Sequence, residues 1–242
     1  MSLSAINIRK SFGKDEILHS VNLSVSKGQI TALVGPSGSG KSTLIRALSL
    51  IDQPDEGIIS FEDNTYKFPL QRGEKIVLPW PKLTVVFQQF FLWPHLTLRK
   101  NILLPTRFQK DADAEHINDL IELFEMANFI DRFPNQVSLG QRQRAALVRA
   151  LVLKPSYILL DEITSALDVE QISKILNHLR NLRDKGIGIL VVTHHLKFAS
   201  NSADKIVFLA GGTVLETGGP DLLGTSANPR IRDFVSMVES TH

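Results

Sequence analysis

The stretch Ile30-Thr31-Ala32-Leu33-Val34-Gly35-Pro36-Ser37-Gly38-Ser39-Gly40-Lys41-Ser42-Thr43-Leu44-Ile45 decides how the chain reads. Ile30 to Val34 is a short, continuous apolar run, the pattern of a strand buried on both faces. Gly35 to Gly40 breaks it, and after Lys41 the apolar residues Leu44, Ile45, Leu48 and Ile51 recur at helical spacing. Between strand and helix, Gly35 to Ser42 fits G-x-x-x-x-G-K-[ST] at every fixed position. Glycines allow such a loop to curl until successive backbone N–H groups point at one anion, and the helix start adds the positive end of its dipole. Lys41 is then suited to reach the β- and γ-phosphates of a nucleotide and Ser42 to ligate Mg²⁺. The expected phosphate site comprises Gly35, Pro36, Ser37, Gly38, Ser39, Gly40, Lys41, Ser42 and Thr43.

A second apolar run, Tyr157-Ile158-Leu159-Leu160, ends in Asp161-Glu162. In an open α/β sheet, side chains at the C-terminal ends of strands face the ligand crevice. Asp161 there suits the Mg²⁺ shell, and Glu162 can orient or deprotonate a water that attacks the γ-phosphate. A third run, Ile187 to Val192, is followed by Thr193-His194-His195, and either histidine could reach the same crevice.

Outward from these anchors, Ser4–Arg9 and Val21, Leu23 and Val25 alternate as half-buried strands, with Phe12-Gly13 in a turn between them. Ile58 to Phe61 and Lys82 to Phe87 read as further strands. From about Leu96 to Phe133 no strand is convincing. Asp113–Met126 has helical spacing, and Ser138–Leu153 is a second helix with Ser138 as N-cap and Pro155 as its stop. Val169 to Leu182 is amphipathic, Lys205–Leu209 and Thr213–Glu216 flank Gly211-Gly212 as a hairpin, and Ile231 to Val238 reads as a last helix. Strands alternating with helices imply an α/β domain with a mostly parallel sheet.

The 242 residues, 43% hydrophobic, suit one large domain, or a domain with a small appended lobe. The absence of cysteine excludes a disulfide framework, a Cys-ligated zinc and a Cys nucleophile. With 27 Lys+Arg against 25 Asp+Glu there is no basic excess for nucleic acid, and no nucleic-acid partner is expected. Met1–Lys10 carries polar residues where a signal peptide needs an apolar stretch, and no apolar run approaches the roughly 20 residues of a membrane span. The chain therefore reads as soluble, working at a membrane only through a partner.

Taken in order, these elements resemble the ATP-binding cassette (ABC) ATPases over essentially the whole chain. Val137-Ser138-Leu139-Gly140-Gln141-Arg142-Gln143-Arg144 is similar to the family's L-S-G-G-Q-x-Q-R signature. Val86-Phe87-Gln88 matches the Q-loop, Ser165-Ala166-Leu167-Asp168 the D-loop and Val192-Thr193-His194 the switch histidine, which favours His194 over His195. Phe12 falls where the family stacks an aromatic ring on adenine.

The resemblance implies a P-loop NTPase (RecA-like) core with a mostly parallel sheet, an antiparallel β subdomain and an inserted α-helical subdomain. The expected division is 1–90 and 155–242 for the nucleotide-binding core and 91–154 for the helical subdomain. It further implies a head-to-tail pair of cassettes enclosing two ATP and Mg²⁺, each ATP facing Ser138, Gly140 and Gln141 of the opposite copy. Glu162, His194 and Gln88 would be catalytic, Ser42, Gln88 and Asp161 would hold the metal, and Asp168 would line the dimer contact.

Four positions depart from the family pattern, one of them Val137, where the family usually has Leu. Leu139 replaces a glycine, and would suffer if the position needs a positive φ or close backbone approach, which suggests a slow ATPase. Ile163 replaces a proline, and His195 stands where many importers carry Glu. The stretch from Phe90 to Thr97 resembles cassettes of polar amino-acid importers. The reading is therefore the ATPase subunit of a transporter at the cytoplasmic face of the inner membrane, held there by separate integral membrane permease subunits. An extracytoplasmic solute-binding protein is a further partner of that class. The alternative is an ABC ATPase driving an envelope or cell-division complex, and Phe91-Leu92-Trp93-Pro94 reads equally as lobe core or as a patch for a permease helix.

Overall fold

The computed structural model describes residues 2–108, 113–163 and 169–240. Two sheets carry the architecture. The first is four-stranded and antiparallel in the order β2-β1-β4-β5, from β1 (Ser2–Phe12), β2 (Asp15–Ser26), β4 (Glu56–Phe61) and β5 (Asn64–Phe68). The second is six-stranded, in the order β10-β9-β3-β8-β7-β6. It contains β3 (Ile30–Val34), β6 (Leu83–Val86), β7 (Tyr157–Asp161), β8 (Gly188–Val192), β9 (Lys205–Ala210) and β10 (Thr213–Gly218). All its pairs are parallel except the β9–β10 hairpin.

The unbroken apolar runs have a direct cause. Ile30, Ala32 and Val34 of β3, Ile158 and Leu160 of β7, and Ile189 and Val191 of β8 enter one core. Leu33, Tyr157, Leu159, Leu190 and Val192, from the same strands, enter another. The parallel sheet is thus covered on both faces, so these strands are almost wholly apolar, with the buried Thr31 of β3 as an exception. On one face, α1 (Lys41–Leu48) lays Leu44, Ile45, Ala47 and Leu48 into the core shared with Leu3, Val21 and Ile59 of the antiparallel sheet.

On the other face lie α2 (Leu98–Leu103), α3 (Ala114–Leu123), α4 (Leu139–Leu151), α5 (Val169–Asp184), α6 (Leu196–Ser202), α7 (Leu222–Thr225) and α8 (Pro229–Ser240). Helices α2 to α4, with two short 3₁₀ turns, fill the insertion between β6 and β7. Their buried residues, among them Ile102, Phe124 and Val148, join the sheet-face core without a break.

The structure differs from the sequence reading in particular places. Alternation in β1 stops at Ile6-Asn7, where a bulge turns Asn7 to a φ of 53° and leaves Ile6 exposed. The first helix ends at Leu48, so Ile51 lies beyond it and faces solvent. Strand β5 and helices α2 and α6 are additional elements, each too short for a period to declare itself.

Tight packing of the sheet is testable at Gly188. A Cβ there would fall 2.5 and 2.6 Å from two atoms of the buried Tyr157 ring and 2.8 Å from the Ser26 carbonyl. Gly188→Ala is expected to lower stability by about 1–3 kcal/mol in urea unfolding. Gly224→Ala, in open space, should be neutral or stabilising by up to about 1 kcal/mol.

Candidate active site

Because β3, β8, β7 and β6 run parallel, everything that follows their last residues emerges along one edge. Leu33 pairs with Val192, Val192 with Asp161, and Leu160 with Val86. The loop 35–40, Asp161-Glu162, Thr193-His194 and Gln88 therefore leave the sheet side by side.

The phosphate loop is built by close approach. Gly35 has a φ of 155°, and a Cβ on it would be driven into the Leu209 carbonyl of β9. Gly40, at a φ of 98°, caps α1 and could not carry a side chain without meeting Leu18 at 2.8 Å. Lys41 is buried and folds back, its Nζ donating to the carbonyls of Gly35 (2.9 Å) and Pro36 (2.8 Å). Burial pushes its pKa down, and the nearby Glu162 and Asp161 carboxylates oppose the shift. The Ser39 hydroxyl is buried with no hydrogen-bond partner among the described residues. A site that encloses a cation, an unpartnered hydroxyl and a helix N-terminus fits a phosphate chain.

The Ser42 hydroxyl donates to Asp161 Oδ1 at 3.1 Å, bringing together two oxygens of the kind Mg²⁺ prefers. Asp161 is buried, and its pKa is raised by desolvation and by Glu162, against the hydrogen bond from Ser42 and the charges of Lys41 and Arg46. A buried carboxylate paired to a hydroxyl suits a divalent cation, which would polarise the phosphate oxygens when bound. Glu162 adopts a left-handed φ of 48°, its N–H donating to the Val192 carbonyl at 3.1 Å. That strained turn carries its carboxylate to 4.0 Å from His194 Nδ1. Thr193, fully buried, binds the Leu33 carbonyl through its N–H and accepts the His195 N–H, which fixes the turn that presents His194. Gln88 is exposed just beyond β6.

Ser138 and Gln141 close a reciprocal capping box at the start of α4. The Gln141 N–H donates to Ser138 Oγ at 3.3 Å, and the Ser138 N–H to Gln141 Oε1 at 2.9 Å. Among the described residues no hydrogen bond or ion pair joins Ser138, Gly140 or Gln141 to residues 35–43 of the same chain. Leu139 takes the first helical position with no positive φ and packs against the core. The backbone penalty expected there is absent, since a helix N-terminus accepts any L-residue. Phe12 is exposed at the tip of the β1–β2 hairpin. Asp168 and the rest of 165–168 lie outside the described residues.

The sequence reading passed over Arg149. It is the one charged residue in the run from Ala145 to Leu153, and its guanidinium donates to the carbonyls of Phe91 (2.7 Å) and Phe90 (2.5 Å). The isolated charge in an apolar stretch was the available signal.

A family model for the ABC transporter matches residues 18–165. The L-cystine import ATP-binding protein TcyC of Bacillus subtilis is 36% identical over 242 residues, covering 98% of both chains. The glutamate transport ATP-binding protein GluA of Corynebacterium glutamicum is 35% identical over 236 residues, covering 96% of both. Among solved structures, the dimeric cassette MJ0796 superposes with a TM-score of 0.77 at 31% identity, over 90% of this chain and 98% of that one. Its post-hydrolysis dimer, bound to ADP and Pi, superposes at 0.78 with 32% identity over the same shares. The chain belongs to the ABC transporter family, as an ATP-binding cassette with the fold of a P-loop NTPase. It is an ATPase, with ATP as substrate and Mg²⁺ as cofactor.

The buried carboxylate makes a signed prediction. With its folded pKa raised by desolvation, an ionised Asp161 costs stability, and that cost is lost as pH falls through the raised value. Asp161→Asn should raise the Tm of the nucleotide-free protein at pH 7 and abolish the added stabilisation that Mg²⁺ gives in the presence of ATP. A lower Tm without nucleotide would contradict a desolvated carboxylate there.

Proposed function

We propose that this chain is the ATP-hydrolysing subunit of an importer for amino acids or similar small polar solutes. The observation that carries the mechanism is the pairing of Ser42 with Asp161 and of Glu162 with His194 at adjacent parallel strand ends. In this reading Lys41 and the N–H groups of the loop bind the β- and γ-phosphates, Thr43 and Ser37 complete the cradle, and Phe12 stacks on the adenine. Ser42 and Asp161, with Gln88, hold Mg²⁺. Glu162 orients the attacking water and takes its proton as the γ-phosphoryl group passes to water and ADP leaves. His194 keeps that water and the γ-phosphate aligned with Glu162.

Ser138, Gly140 and Gln141 have no phosphate to meet within their own chain, while α4 offers them at a helix N-terminus. That supports a site completed by a second copy, with the α4 dipole of one copy facing the ATP of the other and Asp168 at the shared contact. ATP then forms part of the dimer interface, and hydrolysis loosens it. The dimeric cassettes among the structural relatives support the same assembly.

The relatives that import cystine and transport glutamate support import over the envelope or cell-division alternative. No helix among the described residues is long and apolar enough to cross a membrane, so the membrane path belongs to separate permease subunits. A cleft of about 630 Å³, lined by Ile51, Leu78, Trp80, Phe87, Leu104 and Arg149, lies between the parallel sheet and the helical insertion and suits a permease segment. Leu92 packs on the core while Phe91 and Trp93 stay exposed, so the apolar patch after Gln88 is shared between both roles expected of it. The division into 1–90 with 155–242 as core and 91–154 as helical lobe, the extracytoplasmic solute-binding protein and the cytoplasmic face of the inner membrane belong to the same proposal.

Glu162→Gln keeps shape and hydrogen bonding but cannot take a proton. It should lower turnover by about 10²-fold or more, leave ATP binding intact and accumulate an ATP-bound dimer in size-exclusion chromatography. A monomer with normal hydrolysis would sink the assignment. Lys41→Met should abolish ATP binding in equilibrium dialysis while Tm stays within a few degrees of the unmodified chain.

A further inference from the structure

The backbone after Gln88 is held in an unusual way. Phe90 and Phe91 both take left-handed φ, 57° and 44°, a region L-residues avoid. Two tight turns accompany them, the Phe90 N–H donating to the Phe87 carbonyl (2.9 Å) and the Phe91 N–H to the Gln89 carbonyl (2.7 Å). The two consecutive carbonyls then accept both arms of one guanidinium, Arg149 Nη1 to Phe91 and Nη2 to Phe90.

Arg149 is half-buried on α4. Burial alone acts on its pKa, pushing it down, and among the described residues no carboxylate lies in ion-pair reach of it. Its neighbours on α4, Val148, Ala150 and Leu151, are buried and apolar. An apolar side chain would suit that setting better for packing alone, whereas a rigid planar fork is what two adjacent carbonyls need.

The far end of the same segment is also clamped. Asn101 of α2, fully buried, accepts the Trp93 N–H at 2.7 Å and donates to the carbonyls of Trp93, Leu96 and Thr97 at 3.0–3.1 Å. Residues 90–97 are thus tied to α4 and α2, while Phe87 directly follows strand β6 of the parallel sheet. Only Gln88 and Gln89, both exposed, bridge the two attachments. Arg149 lies about 16 Å along α4 from Ser138, on the same rigid helix.

We propose that Arg149 is a positioning residue that couples Gln88 to the helix presenting Ser138, so that one displacement of α4 sets both. This rests on the hydrolytic reading above and on the role assigned there to Gln88. Arg149 touches neither ATP nor metal. Its effect on turnover passes through the carbonyls of Phe90 and Phe91.

The test is a double-mutant cycle on the full chain with Arg149→Met, Arg149→Lys, Gln88→Ala and the Arg149→Met/Gln88→Ala pair. Steady-state kcat and KM for ATP are measured beside hydrogen exchange of the backbone amides. Arg149→Met should lower kcat by about tenfold or more, leave KM for ATP within about twofold, and speed exchange at 89–93 while α4 stays protected. Arg149→Lys, with one donor group in place of a fork, should recover part of kcat. In the Gln88→Ala background Arg149→Met should cost nothing further.

An equal loss in both backgrounds would show that Arg149 acts independently of Gln88 and overturn the proposal. Exchange that rises throughout α4 would reduce Arg149 to a fold-stabilising residue and overturn it as well. A parent chain with no ATP turnover would instead remove the hydrolytic reading, and the exchange data would still judge the tether.

Discussion

The parallel registry of β3, β8, β7 and β6 is the constraint from which the rest follows. Parallel strands share a direction, so each delivers its next residues to the same edge, and crossovers through helices are needed to return the chain. The loop after Val34, Gln88 after Phe87, Asp161-Glu162 after Leu160 and Thr193-His194 after Val192 are brought together by this rule alone. Burial of the sheet on both faces enforces it. Few polar side chains enter these strands, Thr31 of β3 and Thr84 of β6 among them, and the charged residues begin only at the strand ends.

At that edge, ionisable groups are held under conditions they would avoid in water. Burial lowers the pKa of Lys41 and raises that of Asp161, each tempered by the opposite charge of the other. Lys41 meets two loop carbonyls where phosphate oxygens would otherwise serve, and Asp161 meets a hydroxyl where a cation would. Glu162 sits on a left-handed turn that the Val192 carbonyl pins in place. The fold thus stores unfavourable solvation and backbone strain at one rim, which a polyanion and its cation can relieve. Arg149 follows the same logic at a distance, a half-buried cation whose compensation is two carbonyls rather than an acid.

Legibility varied with the length and kind of signal. Ile30, Ala32, Leu33 and Val34 running into glycines were enough to place β3 and its loop, because a doubly covered strand is nearly all apolar. Ser138 as an N-cap declared the start of α4, and the structure adds the reciprocal bond from Gln141 that completes the cap. The six residues of α2 and five of β5 are too few for a period to emerge from their surroundings. The Asn7 bulge broke an alternation that looked regular, because two left-handed residues, Asn7 and Ser20, face each other across β1 and β2. Leu139 looked misplaced by comparison with a pattern, yet a helix N-terminus with no positive φ accepts it.

By itself the sequence determined the composition of the site: a glycine loop with Lys41 and Ser42, an acidic pair at a strand end, a histidine after another, and a capped helix N-terminus. These are local matters, governed by which residues can bind phosphate, carry a charge or start a helix. Only the tertiary structure decided which of them meet. Ser42 and Asp161 are 119 positions apart and touch because β3 and β7 flank β8 in one parallel sheet. Arg149 reaches Phe90 and Phe91 across nearly sixty residues because α4 packs beside β6. Spacing along a chain carries no record of such contacts, since the free energy that forms them comes from burying both faces of a sheet at once.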